Sequence, residues 1–306
     1  RLMTLTRLLC PIDFSEASTH ALEQAAALAR RTEARLFVLA VLPSISPFVE
    51  QMTAEATAVE GGAADDLRRW RELAEAQCQR FIDAGLDVSL EVVEAHPVEA
   101  ILDRASTLGV NLVVMGTHGA SGFRRLVLGS VTEKVLRRAT VPVLTVPPRA
   151  HDTEAAVFGR VLAAVDFSPC SLKAVDAAAA MARDAGGQLT LLHVIEWPWH
   201  DEATSRPEGV PEAQAQALAD YRRYLEQGAA ERLQAVADGL KQGTRVATAI
   251  RFGKPYVETL DTAAAGNADL IVLGVRGRGA FDMSFFGSTT NHVVRAAGCP
   301  VLTVRS

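Results

Sequence analysis

Residues that would mark the chain as a disulfide-rich, metal-binding or aromatic-rich protein are scarce. It has four cysteines, Cys10, Cys78, Cys170 and Cys299, and they show no CxxC or similar spacing. We therefore expect reduced, mostly buried thiols, and neither a disulfide framework nor a zinc site. Aromatic residues make up 6% of the chain and hydrophobic residues 49%. The apolar part is thus mostly Ala, Val and Leu, a mixture that suits Ala-rich helices packed on Val/Leu strands.

Excess positive charge and long apolar runs are also missing. The 31 Lys and Arg against 36 Asp and Glu give a net charge of −5, which argues against a general nucleic-acid or anionic-membrane binder. No apolar run approaches the ~20 residues that span a bilayer, and residues 1–7 hold too short an apolar stretch for a signal peptide. We therefore expect a cytoplasmic protein with neither a nucleic-acid nor a membrane partner.

An internal repeat divides the 306 residues. The segment LLCPIDFS at residues 8–15 returns as VLAAVDFS at 161–168, an offset of 166 − 13 = 153. NLVVMG at 111–116 returns as DLIVLG at 269–274, an offset of 269 − 111 = 158. Such a period is far too long for a solenoid, and the chain is about twice the usual domain length. The pattern predicts a duplicated domain.

The join between the copies is predicted near residues 147–152, a polar stretch that contains two prolines and suits a linker. The predicted domains are therefore residues 1–150 and 151–306.

Each copy alternates short apolar runs with Ala-rich helical patterns, as βαβ units with a parallel sheet do. The first copy predicts a helix after Ser15, further helices near 65–84, 98–108 and 130–138, and strands at 8–12, 36–42, 88–93, 110–115 and 141–146. The fold class is α/β, with two doubly wound five-stranded parallel-sheet domains of Rossmann-like type. Such sheets bind ligands beyond the carboxyl ends of the strands, where the winding reverses.

A glycine pattern follows the fourth strand of both copies. Its form is G-x2-G-x9-G-S, carried by Gly116, Gly119, Gly129 and Ser130 in the first copy and by Gly274, Gly277, Gly287 and Ser288 in the second. Glycines let backbone N–H groups approach phosphate oxygens, and a helix N-terminus favours an anion. Glycine is also common in plain βα turns, but its recurrence at equal spacing favours phosphate binding. Neither copy matches GxxxxGK[ST] or GxGxxG.

These motifs resemble the universal stress protein family in its tandem form. The resemblance rests on PIDFS at 11–15, AVDFS at 164–168, the two glycine patterns and the closing strands VPVLTV and CPVLTV, and it covers nearly the whole chain. It implies the adenine nucleotide alpha-hydrolase-like form of the fold. The glycine spacing is that of the family's ATP-binding branch, so the resemblance implies that each domain binds ATP, ADP or AMP, with or without Mg²⁺.

The resemblance also implies roles for individual residues. The Gly and Ser positions would hold the phosphates beside the backbone of Val131 or Thr289. Asp13 and Asp166, at the end of the first strand of each copy, would meet the ribose or a metal-linked water. The alternative role of these carboxylates is helix N-capping. The complete set adds the neighbours Pro11, Ile12, Ala164 and Val165, and the strand-two ends that would offer backbone groups to the adenine edge, namely Ala40, Val41, His193 and Val194. No catalytic residue or metal ligand is assigned.

The copies differ in their glycine loops. The second has Arg276 and Arg278 where the first has His118 and Ala120. Two guanidinium groups beside a phosphate site would strengthen anion binding, although solvated loop arginines are the commoner finding. We therefore expect two competent sites of unequal affinity.

The resulting expectation is a nucleotide-binding regulatory or sensor protein of the stress response, and not an enzyme. Its two domains would pair through their fifth strands as an intramolecular pseudo-dimer, and two chains would be able to form a homodimer. The first alternative is a slow ATPase that uses Asp13 or Asp166 as metal ligand or base. No second acidic residue is clearly placed for Mg²⁺, and neither glycine loop holds a lysine. The second alternative is an interaction module without a ligand.

Overall fold

The computed structural model describes residues 5–43, 63–118, 128–148, 158–197, 212–240, 243–275 and 287–305. The chain divides into two compact units, one within residues 4–156 and the other within 157–306; we call them the first and second unit. The predicted domain boundary at residues 150 and 151 lies outside the described residues.

The first unit is a doubly wound parallel sheet. Its strands lie in the order β3-β2-β1-β4-β5 and every pairing between them is parallel. The winding reverses between β1 and β4, which places the switch point there. In chain order the elements are β1 (Arg7–Ile12), α1 (Glu16–Thr32), β2 (Arg35–Pro43), α2 (Ala63–Asp83), β3 (Val88–Ala95), α3 (Pro97–Thr107), β4 (Leu112–Gly116), α4 (Ser130–Arg138) and β5 (Val143–Val146).

The second unit repeats this arrangement. Its strands lie in the order β8-β7-β6-β9-β10, again with parallel pairing and with the switch point between β6 and β9. In chain order the elements are β6 (Arg160–Ala164), α5 (Pro169–Asp184), β7 (Gln188–Glu196), α6 (Glu212–Gly239), β8 (Arg245–Gly253), α7 (Pro255–Ala265), β9 (Leu270–Gly274), α8 (Ser288–Ala296) and β10 (Val301–Val304). The predicted fold class is confirmed in both units.

The central strands are apolar throughout because helices cover both faces of the sheet. In the first unit β4 and β5 are buried along their whole length. On α1, Ala21 and Ala25 are completely buried against the sheet. Small side chains at these positions let the helix axis approach the strands closely, which explains why alanine is abundant where aromatic residues are scarce.

The fourth and fifth strands of the first unit begin two residues later than predicted. The N–H of Val110 donates to the Ala105 carbonyl at 3.2 Å, so this valine closes the turn after α3. Asn111 follows, and its Oδ1 accepts from the backbone N–H groups of Thr6 at 2.8 Å and Arg7 at 3.0 Å. Pro142 has no N–H to donate to a ladder, so β5 starts at Val143.

All four cysteines lie in the described part of the chain and none forms a disulfide. Burial raises the pKa of the Cys78 thiol to about 11 and that of Cys299 to about 12. These thiols are therefore protonated and poorly nucleophilic at neutral pH. Within the described ranges, no helix combines the length and the apolar character needed to cross a membrane.

Candidate functional site

An Asp-Phe-Ser turn follows the first strand of each unit and fixes the start of the next helix. Ser15 is the N-cap of α1, and its Oγ accepts from the Ser18 N–H at 3.2 Å. Asp13 Oδ1 in turn accepts from the Ser15 N–H at 3.1 Å and from its hydroxyl at 2.6 Å. The capping residue is therefore the serine, and the aspartate orients it.

The second unit reproduces this network. Asp166 Oδ1 accepts from the Ser168 N–H at 2.9 Å and from its hydroxyl at 2.6 Å, and Ser168 caps α5 through Ser171. The predicted alternative of aspartate N-capping is thus wrong at both positions. Each carboxylate is held at the carboxyl end of the central strand, where the winding reverses.

The phenylalanine of each turn has a backbone conformation that side chains rarely adopt. Phe14 and Phe167 both have φ of 62°, in the left-handed region that costs energy for residues other than glycine. Ring contacts hold them there. The Phe14 ring meets Trp70 edge to face, with centroids 5.0 Å apart. The Phe167 ring lies 4.6 Å from the His193 ring and 4.0 Å from the Arg232 guanidinium carbon.

Replacing Ser168 by alanine should lower the free energy of unfolding of the second unit by about 1 kcal/mol, because the N-cap hydroxyl is lost. The Asp166 carboxylate also loses its 2.6 Å partner. Urea unfolding followed by circular dichroism measures the change. Ser168→Thr keeps the hydroxyl and is the matched control. Equal losses in the two variants would contradict the assigned role of the hydroxyl.

Gly116 ends β4 against the first turn of α1, and Gly274 ends β9 against the first turn of α5. A Cβ on Gly116 would lie 2.8 Å from the carbonyl carbon and oxygen of Ala17, and one on Gly274 would lie 2.9 Å from the Ser171 nitrogen. Glycine is therefore required at both positions by the close approach of backbone to backbone. This packing requirement exists in addition to any contact with a ligand.

Gly129 and Gly287 are the N-caps of α4 and α8. Neither helix has a side-chain cap, so no side chain occupies the capping position over its first amides. The hydroxyl of Thr132 donates to the Gly116 carbonyl at 2.9 Å, and a corresponding bond at 3.0 Å joins Thr290 to Gly274. Each helix N-terminus is thereby fixed beside a strand end, where its partial positive charge suits an anion.

Part of each glycine loop lies outside the described residues, including Gly119, Gly277, Arg276 and Arg278. Of the remainder, His118 is hydrogen-bonded through Nδ1 to the Thr117 hydroxyl at 2.8 Å. Burial lowers the pKa of His118 below its usual value. The imidazole is therefore neutral at pH 7 and adds no positive charge to the first site.

A cavity of about 1100 Å³ opens at the strand ends of the second unit. Every described residue predicted for the second copy lines it, namely Ala164, Val165, Asp166, His193, Val194, Gly274, Gly287, Ser288 and Thr289. In the first unit the corresponding residues lie at or just beyond the ends of β1, β2 and β4 and at the start of α4, namely Pro11, Ile12, Asp13, Ala40, Val41, Gly116, Gly129, Ser130 and Val131.

His193 takes part through its side chain as well as its backbone. Its Nδ1 is 2.6 Å from the Val165 carbonyl oxygen, while the Val165 N–H donates to the Leu192 carbonyl at 2.7 Å. The backbone of Val165 is thus already hydrogen-bonded within the protein. Val194, the next residue on β7, also lines the cavity.

Sequence analysis missed the other wall of the cavity. Helix α7 supplies Pro255 and Thr259, and Phe167 closes the end near β6. Only the phenylalanine had a sequence signal, since Asp-Phe-Ser occurs in both copies. Helix α6 supplies Tyr224, Leu225, Gln227, Gly228, Ala229, Glu231 and Arg232, and these residues belong to no sequence motif.

The fold and the site define a tandem Rossmann-like α/β protein whose second unit has a cavity at the switch point. The family model described as the universal stress protein family matches residues 4–147 and again 158–305. The chain therefore belongs to the universal stress protein family and carries its domain twice.

Individual relatives agree with this assignment. A universal stress protein of Methanocaldococcus jannaschii is 31% identical over 147 residues, which cover 46% of this chain and 81% of that protein. One of Mycobacterium tuberculosis is 28% identical over 227 residues, 73% of this chain and 70% of its own length. The crystal structure of a universal stress protein from Archaeoglobus fulgidus has a TM-score of 0.64 at 25% identity and covers 99% of this chain and 97% of that one.

Proposed function

We propose that this protein binds an adenine nucleotide at the strand-end site and acts as a regulatory or sensor protein of the stress response. The observation that carries the proposal is the 1100 Å³ cavity of the second unit, which is lined by every described residue assigned there by family resemblance. That volume lies slightly above the range typical for small-molecule sites, about 300–1,000 Å³.

The chemistry of the cavity suits the three parts of a nucleotide. The N-terminus of α8, with Ser288 and Thr289 in its first turn, would hold phosphate oxygens. Asp166, fixed by Ser168, would accept hydrogen bonds from ribose hydroxyls. The backbone at Val194 would meet the adenine edge. When Mg²⁺ is bound it would neutralise phosphate charge, and Asp166 would meet a water held by the metal.

Titration of the full chain with ATP in an isothermal calorimeter, with and without Mg²⁺, tests the proposal. We expect saturable binding, and ATP at 100 times its Kd should raise the free energy of unfolding by about 2.7 kcal/mol. GTP, which has the same phosphates and a different base, is the matched control ligand. Absence of both heat and stabilisation with ATP would overturn the proposal. Separately, mass spectrometry of the nucleotide released by denaturing the purified protein identifies whether the protein carries ATP, ADP or AMP.

Hydrolysis of ATP is not part of the proposal. Across the described ranges, no group of three or more His, Cys, Asp and Glu side chains is arranged to hold a metal ion. Steady turnover of ATP that disappears when Asp13 and Asp166 are both changed to alanine would instead assign a slow ATPase.

The pseudo-dimer and the homodimer stay predictions. Strands β5 and β10 each stand last in the strand order of their own unit. A strand in that position is the one at which a sheet can be extended by a further strand, which supports pairing through the fifth strands.

A further inference from the structure

Helix α2 of the first unit and helix α6 of the second occupy the same place in the fold, before the third strand. They present different residues to the strand ends. In the second unit Leu225, Gly228, Ala229 and Arg232 of α6 line the cavity, at the spacing of one helical face. Two buried residues on that helix, Ala229 and Leu233, have counterparts on α2 at the same spacing, Ala74 and Cys78. This correspondence places three residues of α2 at the positions of Leu225, Gly228 and Arg232, namely Trp70, Leu73 and Gln77.

In the first unit Trp70 and Gln77 of this face contact other parts of the protein, whereas Leu73 between them is 46% exposed. The Trp70 ring packs edge to face on Phe14, the residue next to Asp13, with centroids 5.0 Å apart. About two turns further along the helix, Gln77 Nε2 donates to the Thr19 hydroxyl at 3.3 Å. Helix α2 is therefore tied to the Asp-Phe-Ser turn and to the start of α1.

In the second unit the same space is open. A Cβ added to Gly228 would meet no atom within 4 Å, and Leu225 has no ring to reach across the site. Phe167 is held instead by His193 and Arg232. The glycine and the smaller leucine leave the room that the cavity occupies.

We propose that the second unit carries the tight nucleotide site, and that Leu225 and Gly228, in contrast to Trp70 and Leu73, are the residues that determine this preference. The inference rests on the proposed function. The starts of α4 and α8 have matching geometry, so among the described residues the remaining difference lies at the nucleoside part of the ligand. A nucleotide that enters the first unit must displace Trp70 from Phe14, whereas the second unit is already open.

Calorimetry of the full chain with ATP and Mg²⁺ should resolve one tight site and a second site at least tenfold weaker. Gly228→Leu, which introduces the first unit's residue, should weaken the tight site at least tenfold. Gly239→Leu is the matched control, since this glycine lies on the same helix, has no atom within 4 Å of an added Cβ, and is not among the residues that line the cavity. Leucine favours helix over glycine, so both variants should keep the fold, and circular dichroism checks this.

Trp70→Leu introduces the second unit's residue into the first and should strengthen the weak site at least threefold. Trp197→Leu is its control, because that ring packs on Phe252 at 5.9 Å, outside the first unit. Two equal sites in the unmodified protein, or wild-type affinity in Gly228→Leu, would overturn the inference and leave the proposed function standing. Failure of the unmodified protein to bind any nucleotide would overturn the proposed function itself.

Discussion

Replacement of Gly116 or Gly274 by alanine is expected to destabilise the affected unit by about 3 kcal/mol, the upper part of the range for overpacked sites. A new methyl group would lie 2.8 Å from backbone atoms of Ala17 in one unit and 2.9 Å from the Ser171 nitrogen in the other. The contacted atoms belong to helix backbone, so they cannot rotate away as a side chain would. The helix must shift off the strand end, and its shift disturbs the whole site.

Urea unfolding of Gly116→Ala and Gly274→Ala, monitored by circular dichroism, measures this loss. Gly298→Ala is the control, because a Cβ there would have no atom within 4 Å. Equal unfolding midpoints for Gly274→Ala and Gly298→Ala would show that α5 adapts to the methyl group and would refute the packing requirement.

Replacement of Gly287 by leucine is expected to weaken ATP binding to the second unit by about 100-fold, or about 2.7 kcal/mol. Gly287 is the N-cap of α8 and lines the cavity beside Ser288 and Thr289. A Cβ at this position would already be 3.2 Å from the Val275 carbonyl oxygen. The larger side chain would compete with phosphate for the helix N-terminus, the part of the site with positive partial charge.

Calorimetry at a temperature well below unfolding measures this effect, and a thermal melt confirms that the variant is folded. Gly298→Leu adds the same side chain at a position that lines no part of the cavity. If Gly287→Leu binds ATP as tightly as Gly298→Leu does, the start of α8 is not the phosphate site.

The fold was predictable because its determinants are local and repeated. Continuous apolar runs indicate strands buried on both faces, and alternating Ala-rich segments indicate crossover helices. At the start of β4 the strand boundary is fixed beside Asn111, whose Oδ1 accepts from the backbone N–H groups of Thr6 and Arg7, residues distant in sequence. A window of neighbouring residues cannot reveal such partners.

One wall of the candidate site was predicted from the sequence and the other was not. The strand-end wall was predicted because Asp166, Gly287 and Ser288 belong to motifs that occur in both copies. The α6 wall was missed because Leu225 and Gly228 are ordinary helix-face residues with no repeated pattern. Their importance comes from the space left between elements far apart in the chain.

The sequence alone determined that this protein is a duplicated, doubly wound α/β chain with a glycine pattern after each fourth strand, because periodicity and motif spacing are properties of neighbouring residues. The tertiary structure decided three further points: Asp13 and Asp166 orient the capping serines and do not cap the helices themselves, Gly116 and Gly274 are required by packing, and Trp70 contacts Phe14. Each of these depends on the distance between atoms that only folding brings together.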